Sequence, residues 1–156
     1  MRRLAVILGS LAACALPNPE VGEADLDPAM FRCQVEPVLV DRCAFPACHG
    51  NPDRAFRVYA PNRSRYGLPG DSQGDPLTEE ESALNLSAAL GFASPAPGYS
   101  EPLLVAKPLD ESLGGAWHGG AEQYDGRDVF RDARDPELAV LRVWLDGATE
   151  DSSCAP

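Results

Sequence analysis

Apolar side chains recur at helical spacing in separate stretches of the chain. In the first, Phe31, Val35, Val38 and Leu39 fall on one face of a helix. Asp27-Pro28 reads as its N-cap and first residue. Pro37 interrupts the pattern. It has no N–H to bond back to the Cys33 carbonyl, so a kink or a restart is expected there, and the helix ends near Cys43. Thr78-Glu79-Glu80-Glu81 spells a capping box, which opens a second helix with Leu84, Leu86 and Leu90 as its apolar positions and Gly91 as its end. Ser100 is placed to cap a short helix through Leu103, Leu104 and Val105 before Pro108. Asp135-Pro136-Glu137 opens the last, carrying Leu138, Leu141, Val143, Trp144 and Leu145 and ending at Gly147. The first and last helices are expected to pack together with Trp144 between them.

No strand pattern of useful length is present. Between the helices lie loop signals: Gly67, Pro69, Gly70, Gly74 and Pro76, then a Pro- and Gly-containing turn at 92–99, then a polar stretch at 121–134 with Phe130 as its core contact. The expected fold is all-α, three to five helices with long loops. The chain of 156 residues is long enough for one domain with its own core. Its formal charge is −11, from 24 acids against 13 bases, which argues against a nucleic-acid partner. The same balance suits a basic protein partner met by electrostatic attraction.

The N-terminal stretch reads as an address. Arg2 and Arg3 precede an apolar run from Leu4 to Leu11 that is too short to span a bilayer. Leu11-Ala12-Ala13-Cys14 resembles the lipobox of bacterial lipoproteins. That resemblance implies a signal peptide over residues 1–13 and lipidation of Cys14. With alanine rather than aspartate following, it also implies an outer-membrane lipoprotein, on the periplasmic side or the cell surface. The competing expectation is an ordinary signal peptide cut after Ala13 or Ala15. Residues 14–27 then form a polar, acidic tether, and residues 28–156 the domain. Either way the mature chain lies outside the cytoplasm, where disulfides persist.

The stretch that carries chemistry is Cys43-Ala44-Phe45-Pro46-Ala47-Cys48-His49. A c-type haem is attached at C-x-x-C-H, the thiols forming thioethers and the imidazole ligating the iron. Here the spacing is C-x4-C-H. The adjacent Cys48-His49 fixes imidazole and thioether on one side of the ring, and Cys43 has only to reach the other vinyl group, so two residues including Pro46 can loop outward. A short disulfide loop followed by an ordinary histidine is the competing reading, and a zinc site from Cys43, Cys48, His49 and His118 a third.

For a second axial ligand the chain offers no methionine downstream. Its only other histidine is His118, within Gly114-Gly115-Ala116-Trp117-His118-Gly119-Gly120, where small residues allow close approach to a flat ring. Bis-histidine ligation is expected, by His49 and His118. Arg54, Arg57, Arg63 and Arg65 cluster against one acid, Asp53. Haem carboxylates would be answered by one or two of these, with Arg54, Arg57 and Tyr59 as candidates. For each arginine singly, an acid elsewhere on the surface is the competing partner.

With Cys14 assigned to lipid and Cys43 and Cys48 to haem, Cys33 and Cys154 are left as a pair. Cys33 and Cys43 on one helix would sit ~15 Å apart, beyond the ~7 Å that a disulfide spans.

Taken in order, Phe31-(x3)-Val35-Glu36-Pro37-Val38-Leu39, Cys48-His49-Gly50, Leu103-Leu104-(x2)-Lys107-Pro108-Leu109, His118-Gly119-Gly120 and Val143-Trp144-Leu145-(x)-Gly147-Ala148 resemble planctomycete-type cytochrome c domains and related lipoprotein cytochromes. The resemblance covers nearly all of residues 28–148. It implies a cytochrome c-like fold, a covalent haem c, and electron transfer to a redox partner rather than enzymatic turnover. Cys43 departs from that pattern by two residues.

Overall fold

The computed structural model describes residues 25–118, 129–130 and 132–150. The leader at 1–13, Cys14, most of the tether, Gly119, Gly120 and Cys154 lie outside these residues. The described part is helical, and no strand occurs in it.

The chain enters through α1 (Pro28–Met30), where the Asp27 side chain accepts from the Met30 N–H and Pro28 occupies the first turn. A π turn (Phe31–Val35) follows without a break and leads into α2 (Glu36–Arg42). The π turn is the answer to Pro37. A proline leaves the carbonyl four residues back without its donor. The Glu36 N–H reaches one residue further and bonds the Phe31 carbonyl, so the rod widens by one residue and continues. The core positions expected along this rod, Phe31, Val35, Val38 and Leu39, are all buried. Cys43 caps its C-terminus, its N–H bonded to the Leu39 carbonyl.

α5 (Pro136–Leu145) packs on the π turn. The Trp144 ring lies 5.4 Å from that of Phe31, and its indole N–H donates to the Asp27 carbonyl at 2.9 Å. The first and last helices are therefore joined by an aromatic pair and a hydrogen bond across 117 residues of sequence. Cys33 is disulfide-bonded, whereas Cys43 and Cys48 are not. The expected partner Cys154 is not among the described residues, but Gln34 bonds the Glu150 carboxylate and so brings the end of the described chain beside Cys33.

α3 (Glu79–Leu90) opens with the capping box in full. The buried stripe of α3 differs from the one its leucines predict. Glu81, Ser82, Asn85 and Ala89 face inward, while Leu84 is exposed and Leu86 and Leu90 are half-buried. Glu81 meets Arg65 in a buried fork, at 2.9 and 2.8 Å. Ser82 and Asn85 bond the buried Glu36 carboxyl of α2 at 2.7 and 2.8 Å. Polar contacts thus hold α3 to the first rod and to the loop at 66–77.

α4 (Leu103–Ala106) is the short helix expected before Pro108. Its N-cap position is taken by Pro102 with no side-chain bond, so Ser100 does not cap it. Phe130 is fully buried, and its N–H bonds the Pro108 carbonyl at 3.0 Å.

Candidate cofactor site

α2 ends at one wall of a cavity of about 470 Å³, whose lining includes Cys43, Cys48, His49 and His118. That size lies within the range of about 300–1,000 Å³ usual for small-molecule and cofactor pockets. The remaining walls are largely apolar: Leu39, Phe56, Phe92, Leu104, Val129 and Leu141. α2, α4 and α5 meet here, with loop segments between them.

Local bonds explain how seven residues bring both cysteines to one surface. The His49 N–H bonds the Cys43 carbonyl at 3.0 Å, and the Cys48 and Gly50 N–H groups bond the Phe45 carbonyl at 2.8 and 2.9 Å. These bonds close the loop on itself, with Pro46 exposed to solvent and Ala47 exposed at the edge of the cavity, which it also lines. A side chain at Gly50 would collide with the Ala44 carbonyl, so only glycine allows so tight a closure. Phe45 is covered by the Arg63 guanidinium, 4.0 Å from the ring centre. Burial pushes the Cys43 thiol up to about 12, which keeps it protonated at neutral pH.

His49 has its ring fixed from behind. Its Nδ1 lies 2.7 Å from the Phe56 carbonyl oxygen. A carbonyl can only accept, so the proton sits on Nδ1 and the Nε2 lone pair is left for a ligand. The His49 carbonyl accepts in turn from the Val58 N–H at 2.7 Å. His118 arrives from the other side on a segment tied to the end of α4. The Ala116 N–H bonds the Ala106 carbonyl at 2.7 Å, and Lys107 Nζ bonds the Trp117 carbonyl at 2.6 Å. A side chain at Gly115 would collide with the Leu109 carbonyl, which accounts for glycine where this segment turns back.

The two imidazole centres lie 5.8 Å apart with ring planes 20° from parallel. A metal–imidazole bond is about 2 Å and the ring centre lies about 1 Å behind the nitrogen, so two imidazoles on opposite sides of one ion have centres about 6 Å apart. Burial lowers the proton affinity of both rings. His118 is depressed further by Lys107 and Arg54, and His49 by His118 and Arg54 against the raising effect of the Phe56 bond. Both are therefore neutral, ligand-competent imidazoles at pH 7.

One consequence concerns the cofactor-free chain. Each histidine binds its proton less well folded than unfolded, so the unfolded state takes up protons first as the pH drops. Stability contributed by the neutral rings is complete above their ordinary value of 6.5 and is lost as the pH falls from there through their lower folded values. Urea midpoints are expected to be nearly equal at pH 8 and pH 7 and to fall at pH 6 and again at pH 5, and a double His49→Gln, His118→Gln variant to flatten the slope between pH 7 and pH 5.

The rim is cationic. Arg42, Arg54 and Lys107 line the cavity, and no acid does among the described residues. Arg42 is engaged by Glu137, while Arg54 and Lys107 have no acidic partner among the described residues. Exposed Trp117 also stands on this rim, at 68 % of its full accessibility. Of the anchoring candidates read from the sequence, only Arg54 is here. Arg57 instead bonds the Ser64 hydroxyl and lies over the Tyr59 ring, and Tyr59 is buried away from the cavity. Arg63 bonds the Val40 and Asp41 carbonyls at the end of α2, and Arg65 is taken by Glu81. Sequence reasoning missed Arg42 and Lys107, although Lys107 is the only lysine in the chain. No group of three or more metal-ligating side chains converges among the described residues, so Cys43, Cys48, His49 and His118 are not gathered as a tetrahedral zinc site.

No protein family, characterised protein or solved structure matches the chain.

Proposed function

We propose that this is an extracytoplasmic electron-transfer protein of cytochrome c-like fold, carrying one c-type haem bonded to Cys43 and Cys48 and ligated by His49 and His118. The observation that carries this reading is the pair of near-parallel imidazoles, 5.8 Å apart, at an apolar cavity that both cysteines also line. The residues suit the group on two counts. The separation of the ring centres is that of two imidazoles about one ion, and the walls are largely apolar. Bound there, the iron supplies a one-electron couple.

The chain's own contribution is to fix His49 in one tautomer through Phe56, hold His118 opposite, and exclude water with Leu39, Phe92, Leu104 and Leu141. Arg54 is placed for a haem carboxylate, with Lys107 beside it on the rim. The N-terminal segment would attach the protein to the outer membrane through lipid on Cys14, within reach of a redox partner. Among the described residues no helix is long and apolar enough to cross a membrane.

The test is expression in a host with a working c-haem maturation system. Purified protein is expected to show a Soret band that sharpens on reduction, and a band on a denaturing gel that stains for haem peroxidase after thiol reduction, because thioethers resist reductants. A colourless protein with reducible sulfur at 43 and 48 overturns the reading and identifies a haemless interaction module on the same helical frame.

A further inference from the structure

Glu36, Ser82 and Asn85 form a buried polar group that plays no part in the cavity itself. Its geometry is that of a brace. The Tyr59 N–H donates to Asn85 Oδ1 at 2.8 Å, and Asn85 Nδ2 donates to the Tyr59 carbonyl at 3.1 Å. One amide thereby satisfies both backbone groups of one residue, as a neighbouring strand would. Its orientation is fixed, since Nδ2 also donates to Glu36 Oε1 at 2.8 Å and neither a carboxylate nor a carbonyl tolerates the opposite face. Ser82 holds the other Glu36 oxygen at 2.7 Å.

The braced segment is the one that controls His49. Three residues before Tyr59, the Phe56 carbonyl accepts the His49 ring proton; one residue before it, the Val58 N–H bonds the His49 carbonyl. We infer that Asn85 is a positioning residue for the axial ligand His49, acting through the Phe56–Tyr59 segment to hold the Phe56 carbonyl on Nδ1. This deepens, and rests on, the proposed haem ligation. A histidine whose second nitrogen donates to a fixed acceptor is a more basic ligand, and loss of such an outer partner typically changes metal affinity 10–100-fold. A more basic imidazole favours the ferric state, so loosening the segment raises the midpoint potential. A tenfold change in the ferric-to-ferrous preference is about 59 mV for one electron.

The experiment compares Asn85→Ala with Ser82→Ala, which removes a bond of the same buried group without touching Tyr59. Two readouts are used: the midpoint potential of the haem-loaded protein, and NMR exchange of the His49 Nδ1 proton in the haem-free chain. Asn85→Ala is expected to raise the potential by about tenfold in equilibrium constant and to speed proton exchange by at least as much, with Ser82→Ala leaving both near wild type. If Asn85→Ala does not fold, Asn85→Asp retains the acceptor for the Tyr59 N–H and loses the donors, and the same two shifts are expected at smaller size. Unchanged values in the Asn85 variant overturn the inference. So do equal shifts in both variants, which would mark a generally structural role. A wild-type chain that takes up no haem overturns the proposed function instead, and the exchange measurement then decides whether Asn85 still governs the His49 ring.

Discussion

Replacing His118 by alanine in the proposed haem-loaded protein is expected to leave the haem attached and open one side of the iron. On that proposal attachment would depend on Cys43, Cys48 and the loop bonds around His49, none of which involves the segment at 114–118. Ligation from the far side would depend on the His118 ring alone, because no other histidine exists in the chain and Met1 and Met30 both lie upstream of His49. Lys107 lines the cavity, but its Nζ donates to the Trp117 carbonyl. The visible spectrum of His118→Ala should therefore change from low-spin to mostly high-spin, with haem content per protein unchanged. Added imidazole should restore the low-spin spectrum by filling the vacated side. His49→Ala should do worse, since the ring beside Cys48 is part of the attachment motif, and haem content itself should fall several-fold. A His118→Ala protein that keeps a low-spin spectrum without added ligand would remove His118 from the coordination sphere.

Much of this site was legible because its parts are encoded locally. The caps at Asp27, Thr78 and Asp135 all accept the bonds their spelling predicts, since a short polar side chain ahead of a helix has few other uses. Cys43 follows directly on the last residue of α2, so the end of the helix delivers it. That His118 would face His49 followed from scarcity, there being two histidines and one apparent need for both.

What escaped depends on where distant loops run. The four clustered arginines look alike in sequence. One reaches the rim, one caps α2, one stacks on Tyr59 and one is buried against Glu81, and each choice is made by the path of residues 57–77. The π turn escaped because a proline's missing donor can be met by a kink, by a break or by one wider turn, and the local sequence does not distinguish them. The polar stripe of α3 escaped for a related reason. Hydrophobic periodicity assumes an apolar neighbour, and the neighbours of this helix are a carboxyl, a guanidinium and a bare backbone segment.

That stripe also predicts the largest loss of stability away from the cavity. Five donors converge on Glu81: Arg65 Nε and Nη2, the Tyr66 and Thr78 N–H groups, and the Thr78 hydroxyl. Glu81 and Arg65 are both almost fully buried. Arg65 in turn donates to the carbonyls of Ser72, Gln73, Asp75 and Pro76, so this pair organises the loop at 66–77. Burial alone would raise the Glu81 carboxyl, but the bonds from Arg65, Thr78 and Tyr66 overcome it and hold the group down at about 2.

Glu81→Gln keeps one acceptor and turns an amide toward Arg65 Nη2 and the Thr78 donors, stranding the guanidinium. Breaking a buried pair from one side costs about 3–5 kcal/mol, a large share of the ~5–15 kcal/mol that keeps a domain folded. Because the folded carboxyl lies below its ordinary 4.5, its contribution is full above that value and is lost as the pH falls toward about 2. Urea unfolding should therefore separate wild type from Glu81→Gln widely at pH 7 and much less near pH 2.5. Replacing both partners, Arg65→Met with Glu81→Leu, should recover only part of the loss, since the four loop carbonyls still lack their donor. Neither Arg65 nor Glu81 lines the cavity, so any folded Glu81→Gln protein should carry haem at the wild-type ratio. A difference of less than about 1 kcal/mol at pH 7 would mean that water already shares this pair, as in an exposed ion pair.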